Sequence, residues 1–298
     1  MEAGVATRAR ARRLTAATVR DYVTLTKPKV QSLLLFTTVT TMYVAGTPSI
    51  GRVLLTCLGG ALSAGGASAI NHCLDRDIDA LMQRTADRPL PAGRVSTRAA
   101  LGYGVALGTA SFVLLATTVN LLSAVLTLCG LLGYVLVYTL WLKRSTPQNI
   151  VIGGAAGAVP PLVAWSATTG RLSGSALYLF AIVFYWTPPH FWALSLLMKD
   201  EYARAGVPML PVVRGEAETR RQIVLYSLLL VPVTLLPFAG RLFDGIYLAA
   251  ALVLGGALMF LALQLNRRGD RRAALRLYLF SLAYLALLFA AMVVDARV

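Results

Sequence analysis

The sequence carries its densest cluster of charge in Asn71-His72-Cys73-Leu74-Asp75-Arg76-Asp77-Ile78-Asp79, which follows a long apolar run. If the helix predicted for that run continues through the cluster, Asn71, Asp75 and Asp79 recur every fourth residue and share one face. Asp77 then points to roughly the opposite side. Carboxylates one turn apart repel each other unless a cation lies between them, and oxygen ligands of this kind suit Mg²⁺. The alternative is a solvated loop at a membrane surface.

The composition is that of a membrane protein. Of the 298 residues, 57% are hydrophobic and 14% are charged, and the mean hydropathy is +0.68. The net charge of +15 is spread between the apolar runs rather than gathered on one soluble face, so it indicates a lipid bilayer and no nucleic acid. The three cysteines show neither paired zinc spacing nor a disulfide framework, and we interpret them as packing residues.

About nine apolar runs are long enough to span a bilayer as helices, which predicts an all-α polytopic membrane protein around one intramembrane cavity. The predicted spans are 30–48, 52–73, 99–119, 122–141, 150–168, 174–198, 222–239, 245–265 and 275–294.

The basic residues predict the orientation of these spans. With a cytoplasmic N-terminus, all but four of the 28 basic residues fall on the cytoplasmic side, and the four exceptions are Arg52, Arg171, Arg241 and Arg297. Residues 1–29 are then a cytoplasmic tail before one membrane domain over residues 30–298. The expected location is the cell membrane. An Arg-rich start is also found in organellar transit segments, which leaves the mitochondrial inner membrane as the alternative.

Two polar loops are expected on the same side, because four spans separate them. The first contains Asp75 and Asp79, and the second opens with Asp200 and Glu201. The chain therefore reads as two related halves whose acidic loops face each other across one cavity.

The basic residues near these acids suggest a metal-bridged phosphate group. Mg²⁺ binds through one or two carboxylates plus substrate phosphates, and Arg84, Arg88, Lys143 and Arg144 are available for the remaining phosphate oxygens. A metal-bound diphosphate is a good leaving group, and an apolar chain attached to it would lie between helices. A prenyl diphosphate meets both requirements.

Loss of diphosphate from an allylic chain leaves a carbocation, which aromatic faces stabilise. The candidate aromatic residues near the ends of spans four and six are Tyr138, Trp141, Tyr185, Trp186, Phe191 and Trp192. Each of them is equally typical of an interfacial aromatic belt.

Proline pairs at 160–161 and 188–189 are expected to break helices five and six and to open a cavity between them. His190, beside the second pair, is a candidate ligand of a haem iron or a packing histidine. His72 lies about 100° from the face of Asn71, so we interpret it as a bystander.

These motifs resemble the UbiA family of intramembrane prenyltransferases, on the strength of Asn71-x3-Asp75-x3-Asp79 followed by Arg84-Thr85-x2-Arg88-Pro89-Leu90. Further segments are similar to the haem-farnesylating branch of that family. They are Leu25-Thr26-Lys27-Pro28-Lys29, Tyr138-Thr139-x3-Lys143-Arg144, Gln148-Asn149, Gly153-Gly154-Ala155-Ala156-Gly157-Ala158-Val159-Pro160-Pro161 and Pro189-His190-Phe191-Trp192-Ala193-Leu194.

The resemblance implies transfer of a farnesyl group from farnesyl diphosphate to a vinyl group of haem B, with addition of water, to give haem O. It implies Mg²⁺ as cofactor, held with diphosphate by Asn71, Asp75 and Asp79, with Arg84, Arg88, Lys143 and Arg144 on the phosphates. Asp200 and Glu201 would form a second acidic site, with Asp200 on the metal. Tyr138, Tyr185, His190 and Trp192 would line the haem or prenyl pocket. The candidate protein partners are haem A synthase and the terminal oxidase assembly machinery.

The second acidic loop departs from the family pattern of two aspartates four residues apart, because Arg204 stands four residues after Asp200. Two alternative functions remain. One is a family member that prenylates an aromatic or quinone-precursor acceptor. The other is an ion-coupled transporter built from two repeats, although transporters place ionisable residues near the bilayer midplane rather than at span ends.

Overall fold

A computed structural model describes residues 18–298, which are mostly helical. The first 17 residues of the predicted tail lie outside this part, and residues 18–25 form a helix. The helices that follow are α1 Pro28–Ala45, α2 Ile50–Leu74, α3 Arg76–Leu81, α4 Thr97–Thr118, α5 Leu121–Ser145, α6 Asn149–Gly157, α7 Val159–Thr169, α8 Gly174–Leu197, α9 Lys199–Arg204, α10 Leu210–Val213, α11 Gly215–Ala239, α12 Gly245–Arg268 and α13 Arg271–Asp295.

Each predicted span corresponds to one long helix or, for span five, to the bent pair α6 and α7. Within residues 18–298, seven of these segments are long and apolar enough to cross a membrane by length and composition. Helices α1 and α8 do not meet this criterion of length and composition. Helix α1 buries Gln31 and four threonines among its apolar residues, and α8 contains Thr187-Pro188-Pro189-His190. The all-α membrane architecture is confirmed, and nine is an approximate count.

Polar side chains cap the N-termini of several helices. At the start of five helices a short polar side chain accepts a hydrogen bond from a backbone N–H of the first turn, which satisfies a donor that the helix itself leaves free. These capping residues are Ser49, Ser96, Asn120, Ser173 and Asp270.

The two proline pairs have different effects. Pro160 and Pro161 follow a real break, because α6 ends at Gly157 and α7 starts at Val159. The expected break at Pro188 and Pro189 is wrong, since α8 runs without interruption through both residues. The prolines leave the carbonyls of Phe184 and Tyr185 without their helical N–H donors, and spanning helices tolerate such groups where neighbouring helices and local adjustments compensate them. The hydroxyl of Thr187 adds a 2.8 Å hydrogen bond to the carbonyl of Val183, one turn earlier.

Helices α2 and α4 approach each other closely through small residues. A Cβ atom at Gly66 would lie 2.6 Å from the carbonyl oxygen of Gly104. The hydroxyl of Ser111 donates to the carbonyl of Gly59 at 2.6 Å. Close packing and interhelical hydrogen bonds of this kind drive helix association in a bilayer. Moving an apolar side chain from lipid to a helix interface gains little free energy, because both surroundings are apolar.

The helices close into a ring, because α13 packs against α1 while α1 packs against α2 and α7. Ile78 and Met82 from the first acidic loop share one apolar cluster with Val207, Met209 and Leu210 from the second. Tyr202 of the second loop also lies within range of the charges of Arg84 and Arg88 in the first, so both loops lie at the same end of the ring.

We predict that Gly66→Ala lowers the midpoint of thermal unfolding, because overpacking of a tight contact costs about 1–3 kcal/mol. Gly102→Ala is the matched control on α4, since no atom lies within 4 Å of its added Cβ. It should leave the midpoint unchanged or raise it, because alanine is the better helix former. Equal midpoints for the two variants would contradict the tight packing of α2 and α4.

Candidate functional site

The first acidic segment keeps helical spacing across a small break. Asp75 separates α2 from α3 with φ −95° and ψ 10°. Its N–H still donates to the carbonyl of Asn71 at 2.9 Å, and the N–H of Asp79 donates to the carbonyl of Asp75 at 2.8 Å. Asn71, Asp75 and Asp79 are buried, at 3%, 1% and 3% exposure, whereas the side chain of Asp77 is 66% exposed. The prediction that Asn71, Asp75 and Asp79 share one face and Asp77 lies on another is confirmed.

Asp75 is held by one cation and one amide. Lys143, at the end of α5, forms an ion pair with its Oδ2. The Asn71 amide donates to the same oxygen at 2.7 Å and to the hydroxyl of Thr139 at 3.2 Å. Oδ1 of Asp75 is buried and has no hydrogen-bond partner among the described residues, although the guanidinium of Arg144 lies 3.9 Å away.

Asp79 is held by Arg88 from the loop that follows it. Nη1 of Arg88 donates to both carboxylate oxygens, at 2.9 and 2.7 Å. The hydroxyl of Thr85 donates to the backbone carbonyl of Asp79 at 2.8 Å, which fixes the loop that carries Arg88.

Lys27 is a member of this cluster that the spacing of the acidic residues did not identify. Its Nζ donates to Oδ1 of Asn71 at 2.9 Å. The backbone of Lys27 is left-handed, with φ 50° and ψ 56°, directly before Pro28. That conformation is uncommon for a residue other than glycine and typically occurs where function requires it. Burial, followed by the charges of Arg88 and Lys143, lowers the pKa of Lys27 to about 7.

A π-helical turn aligns the residues that α5 contributes. Gly133–Leu142 is π-helical, so the Lys143 N–H bonds to the carbonyl of Tyr138 five residues earlier. The Thr139 hydroxyl likewise donates to the Tyr134 carbonyl at 2.9 Å. Such turns are rare and frequent at functional sites. The wider turn lets Thr139 and Lys143 reach Asn71 and Asp75 while the rings of Tyr134 and Tyr138 lie 5.4 Å apart.

His72 is buried beside Asp79, although we interpreted it as a bystander. Its Nδ1 lies 4.0 Å from Oδ2 of Asp79, and neither ring nitrogen has a hydrogen-bond partner in the described part of the chain. The non-helical ψ at Asp75 redirects α3, so a straight-helix projection misjudges how His72 and Asp79 approach each other.

The second acidic loop contributes differently from expectation. Asp200 is exposed, whereas Glu201 is partly buried and its Oε2 has no partner among residues 18–298. Burial raises the pKa of Tyr202, and the charges of Arg84 and Arg88 act on it in the opposite direction. Tyr202 therefore lies close to residues of the first loop, and the two loops face each other as predicted. The side chain of Arg84 is exposed.

Arg144 pairs with Asp77 on the exposed side of α3, and its guanidinium also lies 3.9 Å from Oδ1 of Asp75. Its guanidinium donates to both oxygens of Asp77, at 2.8 and 2.7 Å, and to the carbonyl of Leu74 at 2.6 Å. The hydrogen bond from Arg144 lowers the pKa of Asp77 to about 2.

The aromatic candidates on α8 pack against other helices. His190 stacks between Trp186 and Tyr278, with ring centroids 4.4 and 4.9 Å away, and its Nδ1 shares a 2.7 Å hydrogen bond with the hydroxyl of Ser281. These are the contacts of a packing histidine. Tyr185 and Trp192 both contact Tyr226 of α11, at 6.4 and 5.1 Å between ring centroids.

The carboxylates fit one magnesium ion held jointly with a phosphate. Within residues 18–298, no three His, Cys, Asp or Glu side chains are grouped closely enough to hold a metal by themselves, so the expected set of Asp75, Asp79 and Asp200 does not form. Mg²⁺ needs only one or two carboxylates when substrate phosphates supply other ligands. The buried, unpartnered Oδ1 of Asp75 is such an oxygen.

Comparison with known proteins gives a family and a set of relatives. A sequence model of the UbiA prenyltransferase family matches residues 33–289. A protein named protoheme IX farnesyltransferase from Roseiflexus sp. (strain RS-1) is 55% identical over 279 residues, which cover 93% of this chain and 52% of that protein. The chain thus spans about half the length of this relative. A protein of the same name from Symbiobacterium thermophilum is 54% identical over 291 residues, 96% of this chain and 97% of that protein.

The fold is also similar to that of solved structures. A UbiA homologue from Archaeoglobus fulgidus, solved with DMAPP and Mg²⁺, aligns with a TM-score of 0.69 at 18% sequence identity. The alignment covers 91% of this chain and 99% of that one. At this identity the similarity concerns the fold.

We predict that Lys143→Met lowers thermal stability markedly, because an uncompensated buried carboxylate costs about 3–5 kcal/mol. Arg144→Met, at the next position, removes an exposed pair with Asp77 and should shift the unfolding midpoint far less. Equal shifts for the two variants would show that the pairing of Asp75 with Lys143 does not support the fold.

Proposed function

Because the chain belongs to the UbiA prenyltransferase family, we propose that it transfers a farnesyl group from farnesyl diphosphate to a vinyl group of haem B and so forms haem O. One structural observation carries this proposal. Two buried carboxylates, Asp75 and Asp79, lie where apolar helices end and are surrounded by three cations. The names of relatives at 54–55% identity support haem as the acceptor.

The site suits a diphosphate because positive charge exceeds negative charge in it. Arg88 and Lys143 match Asp75 and Asp79 in charge, and Lys27, with a pKa of about 7, is partly protonated near neutral pH and adds to the positive side. Charge-assisted hydrogen bonds from these cations to phosphate oxygens would hold the diphosphate head. We include Lys27 in the diphosphate site for this reason. Arg84, which is exposed, and Arg144, 3.9 Å from Oδ1 of Asp75, belong to the same proposal.

Asp75 and Asp79 are the residues that would hold Mg²⁺, with Asn71 positioned by Lys27 and Thr139 beside them. When bound, the ion offsets the negative charge that develops on the leaving diphosphate. The homologue from Archaeoglobus fulgidus was solved with this ion and a prenyl diphosphate. Of the second acidic pair, Glu201 is the better candidate, because its buried Oε2 lacks a partner whereas Asp200 is exposed.

The reaction requires protection of a cation from water. The allylic C–O bond breaks and its electron pair leaves with the diphosphate. The π electrons of the haem vinyl group then form the new C–C bond, and the cation left beside the porphyrin takes up water and loses a proton. Tyr134 and Tyr138 lie next to the diphosphate residues and present aromatic faces that stabilise the first cation. A Cβ at Gly153 would clash with the ring of Tyr138, so the glycine lets this ring pack against α6.

We further propose that residues 30–298 form one membrane domain with a cytoplasmic N-terminus in the cell membrane. The charge asymmetry between the loops supports this orientation. The two acidic loops would then receive the diphosphate from the cytoplasmic side. Tyr185, Trp192 and His190 remain candidates for the acceptor pocket, and the packing of His190 argues against an axial role for it.

The direct test is incubation of the purified protein with haem B, farnesyl diphosphate and Mg²⁺, followed by mass analysis of the porphyrin. The expected product is haem B plus one farnesyl group and one hydroxyl group, the latter from water that has lost a proton, and chelation of Mg²⁺ should abolish it. Farnesylation of an aromatic acid but not of haem B would reject the proposed acceptor and keep the prenyl donor.

We predict that Asp75→Asn abolishes transfer while Asp77→Asn retains most of it. The first change removes a negative ligand from the buried site, and the second alters an exposed carboxylate on the opposite face. The measurement is initial rate at saturating haem B, with membrane insertion checked for both variants. Equal losses would contradict the assignment of the metal to the buried face.

A further inference from the structure

His72 lies in the last turn of α2, buried and with both of its polar atoms unpaired. The residue is 1% exposed, and neither ring nitrogen forms a hydrogen bond with any of residues 18–298. An imidazole always carries at least one N–H donor. Buried polar groups are almost always paired, so two unpaired nitrogens on one side chain require an explanation.

The second histidine shows how a packing imidazole is satisfied in this fold. Nδ1 of His190 shares a 2.7 Å hydrogen bond with the hydroxyl of Ser281, and its ring stacks between Trp186 and Tyr278. In the described part of the chain, His72 has neither a hydrogen bond nor a stacked ring. Packing therefore accounts for His190 and leaves the position of His72 unexplained.

One carboxylate oxygen lies just beyond hydrogen-bonding distance of the ring of His72. Its Nδ1 is 4.0 Å from Oδ2 of Asp79, whereas an N–H···O hydrogen bond is about 2.9 Å long. A shift of about 1 Å in either side chain would therefore form this bond. In the structure Oδ2 already accepts a 2.7 Å hydrogen bond from Nη1 of Arg88, so it does not need a second donor.

Arg88 covers both oxygens of Asp79. Its Nη1 donates to Oδ1 at 2.9 Å and to Oδ2 at 2.7 Å, so Asp79 can hold a metal ion only after Arg88 has left at least one of them. A diphosphate offers Arg88 another anion to bind. The carboxylate oxygen of Asp79 that does not face the ion then needs a new donor, because the residue is 3% exposed and water cannot serve it.

We propose that His72 is a positioning residue for Asp79, whose carboxylate it holds through Nδ1–H once Arg88 has turned to the diphosphate. The proposal rests on the Mg²⁺ and diphosphate site proposed above. Hydrogen bonds from residues that do not touch the metal commonly fix the side chains that do. Nδ1 is a donor both in the imidazolium and in one neutral tautomer, so this role requires no change of charge on His72.

The first test observes the ring directly. The chain contains two histidines, so nitrogen NMR of the full-length protein with isotope-labelled histidine gives few signals, and His72→Asn identifies those of His72. Farnesyl diphosphate and Mg²⁺ are added without haem, which prevents turnover. We expect the Nδ1 signal of His72 to move to the range of a hydrogen-bonded N–H while the signals of His190 stay in place. Unchanged signals of His72 at saturating ligand would overturn the proposal.

The second test separates positioning from packing. The affinity for farnesyl diphosphate is measured by calorimetry over a series of Mg²⁺ concentrations, and the readout is the Mg²⁺ concentration that gives half of the gain in affinity. His72→Phe keeps a ring but removes the donor, and should raise this concentration at least about tenfold. His72→Asn should stay close to wild type, because its amide nitrogen is as many bonds from Cα as Nδ1 is.

Cys73→Ala is the matched control at the next position. Sγ of Cys73 donates to the carbonyls of Ala69 and Thr97, so it contacts α4 rather than the acidic residues. The change should leave the Mg²⁺ dependence of binding unaltered. Unfolding midpoints establish that each variant is folded, and if His72→Phe does not fold, the NMR result on wild type decides.

The outcomes distinguish this inference from the function on which it rests. Equal Mg²⁺ dependence in wild type and His72→Phe would overturn the role of His72 and leave the proposed diphosphate site intact. Equal losses in His72→Phe and His72→Asn would assign the ring to packing and also overturn it. If Mg²⁺ does not change the affinity of wild type for farnesyl diphosphate, the proposed metal site fails and this inference fails with it.

Discussion

Two carboxylates buried where apolar helices end form the constraint on which the rest of the site depends. An isolated charge in such a position is unfavourable unless a partner compensates it. Asp75 obtains Lys143 from α5, and Asp79 obtains Arg88 from its own loop. These pairs tie α2, α3, α5 and the first loop together. The same pairs hold the site ready for a ligand, since a metal ion and a diphosphate can take over the carboxylates and the cations respectively.

The fold was largely predictable from the sequence, and the site only in part. Runs of apolar residues fix the spans, and the four-residue spacing of Asn71, Asp75 and Asp79 fixes their common face. That spacing describes only one element at a time. It cannot show that Lys27, 44 residues before Asn71, reaches its amide, or that Arg144 pairs with Asp77. Such contacts depend on how distant elements pack.

One error has a local physical cause. A pair of prolines predicts a break, but in α8 the helix continues through both. Spanning helices tolerate proline because neighbouring helices and local adjustments compensate the carbonyls that lose their N–H donors. The helical projection did not predict that His72 would be buried 4.0 Å from Asp79, because Asp75, with a ψ of 10°, lies between the two helices. The π-helical turn in α5 had no signal that periodicity could detect, although it determines where Thr139 and Lys143 lie.

The chemistry of the proposed substrates would explain why polar residues gather at one end of an otherwise apolar ring. A prenyl diphosphate has an anionic head and a hydrocarbon tail, and a porphyrin has carboxylates on one edge and an apolar macrocycle. The apolar part of each molecule can lie between the helices while its charged groups stay at the membrane surface. The site built on Asp75 and Asp79 would then hold the diphosphate head of the donor at that surface and leave its apolar chain between the helices.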